Sequence, residues 1–349
     1  MSKDAPEAKL VWIDWLKVVS AFAVVVIHVT TPYFVKYDDI GRADWWLANV
    51  LNSSSRFAVP MFVMVSGALL LGKEIGTVDF YKKRAVRLLP PFLFWTGVYM
   101  VFVGIFSDNF LYSVAYSIKN GLIRAGSVYY HLWYLSMYMC LMAFFPFLNN
   151  YILGVRPQAR DFMALLAVAA PFYILSQISA VLSELFKFSM NWFSMFAWYI
   201  VYFVLGYFVS RYKEFGVLRS SALILPAVIS MLCGVFLNYV VFSNFQNVKD
   251  QVVLVNNGIF LLAITVCLFA FFKKNEAALR ESKTVSRIAE ASFGIYLIHP
   301  IYIYFLRKYV PGYYEFGFVC MPASIAAVFA MSFATITLLR RYKWFRAVC

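Results

Sequence analysis

The stretch WLKVVSAFAVVVIHV, residues 15–29, is apolar apart from one lysine and one histidine. With its flanks it is long enough for a transmembrane helix, which needs about 20 apolar residues. Lys17 and His28 are about three helical turns apart, so their side chains are expected on the same face. Asp14 lies near that face, one turn before Lys17. The stretch therefore predicts a membrane-spanning helix with a polar seam.

The composition of the whole chain supports a membrane protein. It has 349 residues, of which 63% are hydrophobic and 14% charged, whereas a soluble domain has about a quarter charged residues. Apolar runs of about 20 residues recur between short polar segments, which is typical of transmembrane helices. A membrane β-barrel would show alternating strands of about ten residues, and the sequence lacks them. We predict an all-α integral membrane protein with one polytopic domain over residues 1–349.

The apolar runs predict a bundle of about ten transmembrane helices. With the N-terminus inside, most of the 31 lysines and arginines fall on the inner side, as the positive-inside rule requires. We therefore expect both termini to be cytoplasmic. The net charge of +14 then reflects topology and contacts with anionic membrane lipid, and no nucleic-acid partner is expected. The predicted spans are 11–31, 46–71, 88–107, 127–147, 161–181, 193–210, 219–241, 252–273, 292–307 and 317–339.

Two segments depart from simple spans. The outer loop around residues 108–126 has helical periodicity and predicts a helix lying along the membrane surface. In the second span, NSSSRFAVP (residues 52–60) contains a proline that predicts a kink or break. Freed backbone groups at membrane depth need protein or water partners. We therefore expect a polar cavity there, lined by Asn52 and Arg56.

The three histidines of the chain, His28, His131 and His299, all fall within predicted spans. Ionisable groups at that depth usually face the bundle interior or a cavity. His28 and His131 are predicted near the outer ends of their spans and are expected to share a cavity. His299 is predicted near the midplane, where it fits either a site or core packing. Histidine suits general-base chemistry near neutral pH.

Other polar residues extend this candidate site. Lys17 needs a partner in the membrane, and Asp14 is available at i−3. Arg84 and Arg87 are predicted at the cytoplasmic start of the third span. They suit either a phosphate clamp at a helix N-terminus or ordinary positive-inside anchoring. Trp133, near His131, offers a stacking surface to an outer substrate. The five cysteines form no CxxC pair, so neither a metal site nor a disulfide framework is expected.

Several segments together resemble the acyltransferase 3 family of membrane acyltransferases. IDWLK (residues 13–17) followed by the eleven-residue spacing to His28 is similar to the family's first helix, although most members have arginine where this chain has Lys17. VPMFVMVSG (59–67), the Arg84 and Arg87 motif, HLWYL (131–135) and FGIYLIHP (293–300) follow in family order. The stretch NSSSRFAVPMFVMVSG (52–67) most resembles the enterobacterial common antigen O-acetyltransferase branch.

The resemblance implies a ten-helix enzyme of the bacterial inner membrane. It would take an acyl group, most often acetyl, from cytoplasmic acyl-CoA and deliver it to a hydroxyl of an envelope glycan or lipid-linked sugar. It implies no permanently bound cofactor, since acetyl-CoA is a substrate. His28 would be the catalytic histidine, with Lys17 as the basic partner on its helix, and Arg84 and Arg87 would contact acyl-CoA.

Alternatives remain open from the residues. His28 can either deprotonate the acceptor hydroxyl or carry the acyl group transiently. A secondary transporter or exporter of a lipid-linked sugar or small metabolite also fits a broken helix and polar groups within the membrane. Against it stand the Arg84 and Arg87 pair and the lack of a detectable inverted repeat. A receptor or scaffold would leave the buried ionisable residues unexplained.

Overall fold

The computed structural model describes residues 10–119, 128–158, 160–161, 163–167, 170, 174, 195–211, 219–244 and 258–349. Within these residues the regular structure is helical, without strands. The longer helices are α1 (Val11–Phe34), α2 (Arg42–Ser55), α3 (Ala58–Leu70), α4 (Thr77–Ile105), α5 (Phe110–Ile118), α6 (Trp133–Val155), α7 (Met195–Arg211), α8 (Ser220–Asn244), α9 (Ile259–Lys274), α10 (Lys283–Tyr309) and α11 (Gly317–Leu339).

Seven helical segments in the described part of the chain are long and apolar enough to cross a membrane: α1, α2 with α3, α4, α6, α8, α10 and α11. This confirms a multi-pass helical membrane protein. Helices α7 and α9 coincide with two further predicted spans but have only 17 and 16 residues. The predicted span 161–181 lies mostly outside the described residues. The number of ten spans and the cytoplasmic termini therefore stay predictions.

The predicted break in the second span is present. Helix α2 ends at Ser55 and α3 begins at Ala58, with Arg56 and Phe57 between them. Pro60 lies in the first turn of α3, where its missing N–H removes no helical hydrogen bond. The proline thus sits just after the break rather than in a continuous helix.

Two helices begin at other residues than the predicted spans. Helix α4 begins at Thr77, so Arg84 and Arg87 lie about two and three turns inside it and not at its N-terminus. Helix α6 begins at Trp133, so His131 lies in the turn that precedes it. Hydropathy reports where a chain is apolar, and a helix such as α4 can continue beyond the apolar part.

The predicted surface helix is present as α5, over residues 110–118. The Asn109 side chain caps it by accepting a hydrogen bond from the Tyr112 N–H at 3.0 Å. Leu111 and Tyr112 are largely exposed, which fits a position along the membrane surface. Residues 120–127, the rest of the predicted loop, lie outside the described part.

Helices α1 and α10 lie at the centre of the bundle. Both bury most of their apolar window, whereas α4 and α8 bury little of theirs. Helix α1 packs against α2, α3, α10 and α11. His28 is carried by α1 and His299 by α10, so the two central helices bring two of the three histidines into the interior.

Helices α3 and α7 approach each other closely through two glycines. A Cβ atom built on Gly67 would lie 1.8 Å from the Phe203 carbonyl oxygen, and one on Gly206 would lie 1.9 Å from that of Met64. Only glycine permits this backbone contact, which is a common device in membrane helix packing. The contact supports the helix that follows the break at Arg56.

Candidate active site

The three histidines converge into one cluster. The rings of His28 and His299 are stacked with their centroids 5.1 Å apart. The ring of His131 stands edge-on to His299 at 5.6 Å. We expected His28 and His131 to share a cavity and left His299 open between site and packing. In the structure His299 contacts both of the other rings, so it belongs to the cluster.

Backbone hydrogen bonds orient two of these rings. Nδ1 of His299 donates to the carbonyl of Tyr296 at 2.8 Å, and Nε2 of His131 donates to the carbonyl of Leu297 at 3.3 Å. A carbonyl only accepts, so the nitrogen that faces it must carry the proton. Helix α10 therefore holds both rings in a defined orientation.

Tyr130 covers one side of His28, and sequence reasoning missed it. Its ring lies 4.9 Å from that of His28, and the Tyr130 side chain is 47% exposed. An exposed aromatic ring beside a histidine gives a substrate a surface on which to stack. The sequence offered a weak signal, since Tyr130 directly precedes His131, but many aromatic residues of this chain lie at span ends.

Asn52 and Arg56 bring the helix break next to the histidine cluster. Arg56 donates from Nε to the Asn52 Oδ1 atom at 2.7 Å, and its Nη2 donates to the same oxygen. Nδ2 of Asn52 in turn donates to the carbonyl of Ile27 at 3.2 Å and to the hydroxyls of Thr30 and Thr31. The Arg56 charge is close enough to interact with His28. Both residues thus lie beside the α1 turn that carries His28.

A cavity of about 1070 Å³ lies among α1, α3, α4, α6, α10 and the C-terminal segment. Its mouth is strongly cationic, with Glu290 as the carboxylate among the described lining residues. This arrangement brings the predicted Lys17, Arg84 and Arg87 to one site, and it adds cations that sequence reasoning missed. The cationic lining residues are Lys17, Lys82, Lys83, Arg84, Arg87, Arg340 and Arg346.

Arg84 has an unused hydrogen-bond donor in this cavity. Its Nε atom is buried and has no hydrogen-bond partner among the described residues. The guanidinium lies over the Phe80 ring at 5.3 Å, and Phe80 is stacked on Phe145 at 4.0 Å. An aromatic ring thus holds this cation in place, and its Nε–H remains available to an anionic ligand.

Lys17 and Asp14 are paired as predicted. Nζ of Lys17 lies 3.8 Å from the Asp14 carboxylate. Lys17 also lines the cavity, whereas Asp14 is not among the lining residues. Among the described residues Asp14 is therefore connected to the cavity through its contact with Lys17.

Tyr296 connects the cavity to the histidine cluster. It lines the cavity with Tyr134 and Tyr138, and its ring lies 5.3 Å from His131 and 6.3 Å from His299. Its hydroxyl donates to the carbonyl of His131. A molecule bound in the cavity is therefore separated from the histidines by the Tyr296 side chain.

The C-terminal segment forms one wall of the cavity. Nε1 of Trp95 donates to the Val348 carbonyl at 2.8 Å, and Nε of Arg346 donates to the Arg340 carbonyl at 2.7 Å. Cys349 lines the cavity, where burial raises the pKa of its thiol to about 11. The thiol is therefore protonated at neutral pH and is a poor nucleophile.

Trp133 takes no part in the histidine cluster among the described ring contacts. It packs against Tyr134 at 6.4 Å and Tyr199 at 5.8 Å. The exposed ring beside His28 belongs instead to Tyr130.

Within the described residues no group of histidine, cysteine, aspartate or glutamate side chains is arranged to hold a metal ion.

The fold and this site define a multi-pass helical membrane protein with a cationic cavity beside an interior histidine cluster. The family model described as an acyltransferase domain, the acyltransferase 3 model, matches residues 10–341. The chain therefore belongs to the acyltransferase 3 family and is a membrane acyltransferase. No curated protein and no solved structure matches it significantly. The family membership favours an enzyme over the transporter and receptor alternatives.

Proposed function

We propose that this protein is an O-acyltransferase of the bacterial inner membrane. It moves an acyl group, most often acetyl, from cytoplasmic acyl-CoA to a hydroxyl of an envelope glycan or lipid-linked sugar. The resemblance to the enterobacterial common antigen O-acetyltransferase branch supports this choice of group and acceptor. The observation that carries the proposal is the cationic cavity whose wall, at Tyr296, touches the histidine cluster.

The mouth of the cavity suits the anionic part of acyl-CoA. The nucleotide end of this donor carries several phosphate charges, and arginine binds phosphate with paired, directional donors. Arg84 supplies an Nε donor that no described residue accepts from, and Arg87 lines the same cavity one turn further along α4. The acyl-pantetheine arm would then extend past the tyrosines toward the histidines.

In the proposed reaction His28 acts as a base. Its imidazole takes the proton of the acceptor hydroxyl while that oxygen attacks the thioester carbonyl carbon. The carbon–sulfur bond then breaks, and the CoA thiolate recovers the proton from His28, so that the products are an ester and free CoA. We assign the stabilisation of the oxyanion to Arg56, because its charge interacts with His28 and a nearby cation favours a developing negative charge.

A second route uses the same residue as an acyl carrier. The His28 nitrogen would attack the thioester, release CoA, and pass the acyl group to the hydroxyl afterwards. The two routes can be told apart when no acceptor is present. Under that condition only the carrier route releases CoA and attaches the labelled acyl group to the protein in a single turnover. Rapid mixing with radiolabelled acetyl-CoA, followed by peptide mapping, separates them.

The test of the function uses the purified full chain in lipid nanodiscs. We expect acyl transfer from labelled acetyl-CoA with the wild-type protein, and at least a 100-fold loss in His28→Ala. Tyr302→Phe is the control for folding, because it removes a hydroxyl of α10 that is hydrogen-bonded to Thr335 of α11. Mass spectrometry of envelope glycans with and without the gene product identifies the acceptor and the acyl mass. Full activity in His28→Ala contradicts the mechanism.

A further inference from the structure

The lining of the cationic cavity changes along its length. Its lysines and arginines lie toward the mouth, whereas the end nearest the histidine cluster is lined by apolar and aromatic side chains. We call this the inner end of the cavity, and none of the described residues that line it carries a charge. They are Val24, Val59, Tyr134, Leu135 and Tyr296.

Helix α1 fixes the distance from the mouth to the inner end. Val24 lies two helical turns, about 10 Å, beyond Lys17 and one turn, about 6 Å, before His28. The Val24 side chain is buried and lines the cavity. The cavity therefore leads from a cationic mouth to an apolar end one turn short of the proposed base.

Helices α3 and α10 complete the inner end without adding a charge to it. Val59 lies in the first turn of α3, three residues after Arg56. Arg56 is not among the described lining residues, and its Nε and Nη2 atoms donate to Asn52. The hydroxyl of Tyr296 donates to the His131 carbonyl. A group that enters the inner end thus meets apolar surface and a tyrosine whose hydroxyl hydrogen is already used.

We propose that the inner end holds the acyl group of the donor and that Val24 and Val59 determine which acyl groups are accepted. A short, uncharged group such as acetyl fits, and a group with a carboxylate such as succinyl is rejected. The inference rests on the proposed function and narrows its donor class. A buried carboxylate would lose its hydration and find no cation among the described residues that line this end, which costs far more than burying a methyl group.

The same two valines limit the length of the acyl group. Val24 belongs to the main hydrophobic core, and Val59 packs against that core, so neither side chain can move aside freely. Extra methylenes would overpack the inner end, and one methylene in an apolar pocket is worth about 10-fold or more in kcat/KM. We expect the wild-type protein to favour acetyl-CoA over butyryl-CoA by about 10-fold or more, and over succinyl-CoA by about 100-fold or more.

Competition among three donors tests this selectivity. The purified full chain in nanodiscs receives equal concentrations of acetyl-CoA, butyryl-CoA and succinyl-CoA, with an extract of envelope glycans and lipid-linked sugars as the acceptor. Because the donors compete for one enzyme, the ratio of the products equals the ratio of kcat/KM whatever the acceptor is. Mass spectrometry distinguishes the three esters. Succinyl transfer equal to or greater than acetyl transfer overturns the proposal.

Valine variants assign the selectivity to the inner end. Val24→Ala removes two carbons, and a butyryl group is two carbons longer than acetyl, so the acetyl-to-butyryl ratio should fall to about 3 or less. The acetyl-to-succinyl ratio should remain about 100 or more, since no cation is added. Val59→Ala should act in the same direction. Val25→Ala is the matched control, because Val25 is buried on the same helix and is not among the described lining residues; it should keep both ratios.

The remaining outcomes also decide. An unchanged acetyl-to-butyryl ratio in both Val24→Ala and Val59→Ala overturns the proposal, and so does an equal fall in Val25→Ala. Should these variants not fold, the wild-type competition still decides. If no acyl group is transferred, the proposed function itself has failed, and titration calorimetry then tests the inner end alone. Weaker binding of succinyl-CoA than of acetyl-CoA supports the proposal, and equal Kd values overturn it.

Discussion

The hydroxyl of Tyr296 donates to the backbone carbonyl of His131. This single bond joins the wall of the cationic cavity to the turn that carries a histidine of the cluster. Tyr296 and His299 lie one turn apart on α10, and the Tyr296 carbonyl in turn accepts from His299 at 2.8 Å. One turn of a central helix therefore shapes both the cavity and the cluster.

Tyr296→Phe tests this connection. The variant keeps the ring in the cavity wall and removes the hydroxyl that fixes the His131 turn. We expect kcat to fall by about 5-fold with little change in the KM for acyl-CoA, since the loss of one buried hydrogen bond is worth about 1 kcal/mol. Steady-state kinetics give both numbers. Tyr81→Phe, which loses a similar bond to the Ala143 carbonyl at 2.7 Å, should leave kcat unchanged.

Asn52 is expected to position Arg56 and the His28 turn together. Asn52→Ala removes the oxygen that binds Arg56 and the amide that binds the Ile27 carbonyl. We expect it to lower the free energy of unfolding by about 1–3 kcal/mol and to reduce kcat. Thermal unfolding and turnover measure the two effects. Ser54→Ala removes a local hydrogen bond to the Leu51 carbonyl at 3.1 Å and should change neither the stability nor kcat. Equal stability and equal kcat of the two variants would contradict the positioning role of Asn52.

Arg84 is expected to act on donor binding. Arg84→Gln removes a charge and the Nε donor from the cavity, so the KM for acyl-CoA should rise about 10- to 100-fold, as expected for a lost charge-assisted hydrogen bond. The kcat at saturating donor should change little. Lys283→Gln removes a cation at the start of α10 that does not line the cavity. A similar KM for acyl-CoA in both variants would show that Arg84 only anchors α4 at the inner membrane surface and does not bind the donor.

The raised pKa of Cys349 predicts how its thiol reacts. The thiolate forms only as the pH rises through the pKa of about 11, so at pH 8 about 0.1% is ionised. Iodoacetamide should therefore label Cys349 slowly at pH 8 and faster above about pH 10. Cys349→Ala should keep wild-type acyl transfer. Mass spectrometry of the C-terminal peptide follows the labelling, and fast labelling at pH 7 would contradict the buried position.

Sequence patterns predicted the membrane fold well because apolar runs report burial in lipid directly. They also predicted the break before Pro60 and the Asp14–Lys17 pair, since both depend on residues that are close in sequence. The start of α4 was misplaced because its first turns are polar. The roles of His299 and Tyr130 were missed or left open because they depend on α1, α6 and α10 coming together. No periodicity within one helix contains that information.

The contact between α3 and α7 gives a test of the fold around the helix break. Gly67→Ala would place a methyl group 1.8 Å from the Phe203 carbonyl oxygen, so the two backbones must separate. We expect a loss of about 1–3 kcal/mol or more from this overpacking, seen as a lower melting temperature in detergent. Gly97→Ala is the matched control, since a Cβ there has no atom of the described residues within 4 Å and alanine favours a helix over glycine. Equal melting temperatures for the two variants would show that α3 and α7 do not pack this closely.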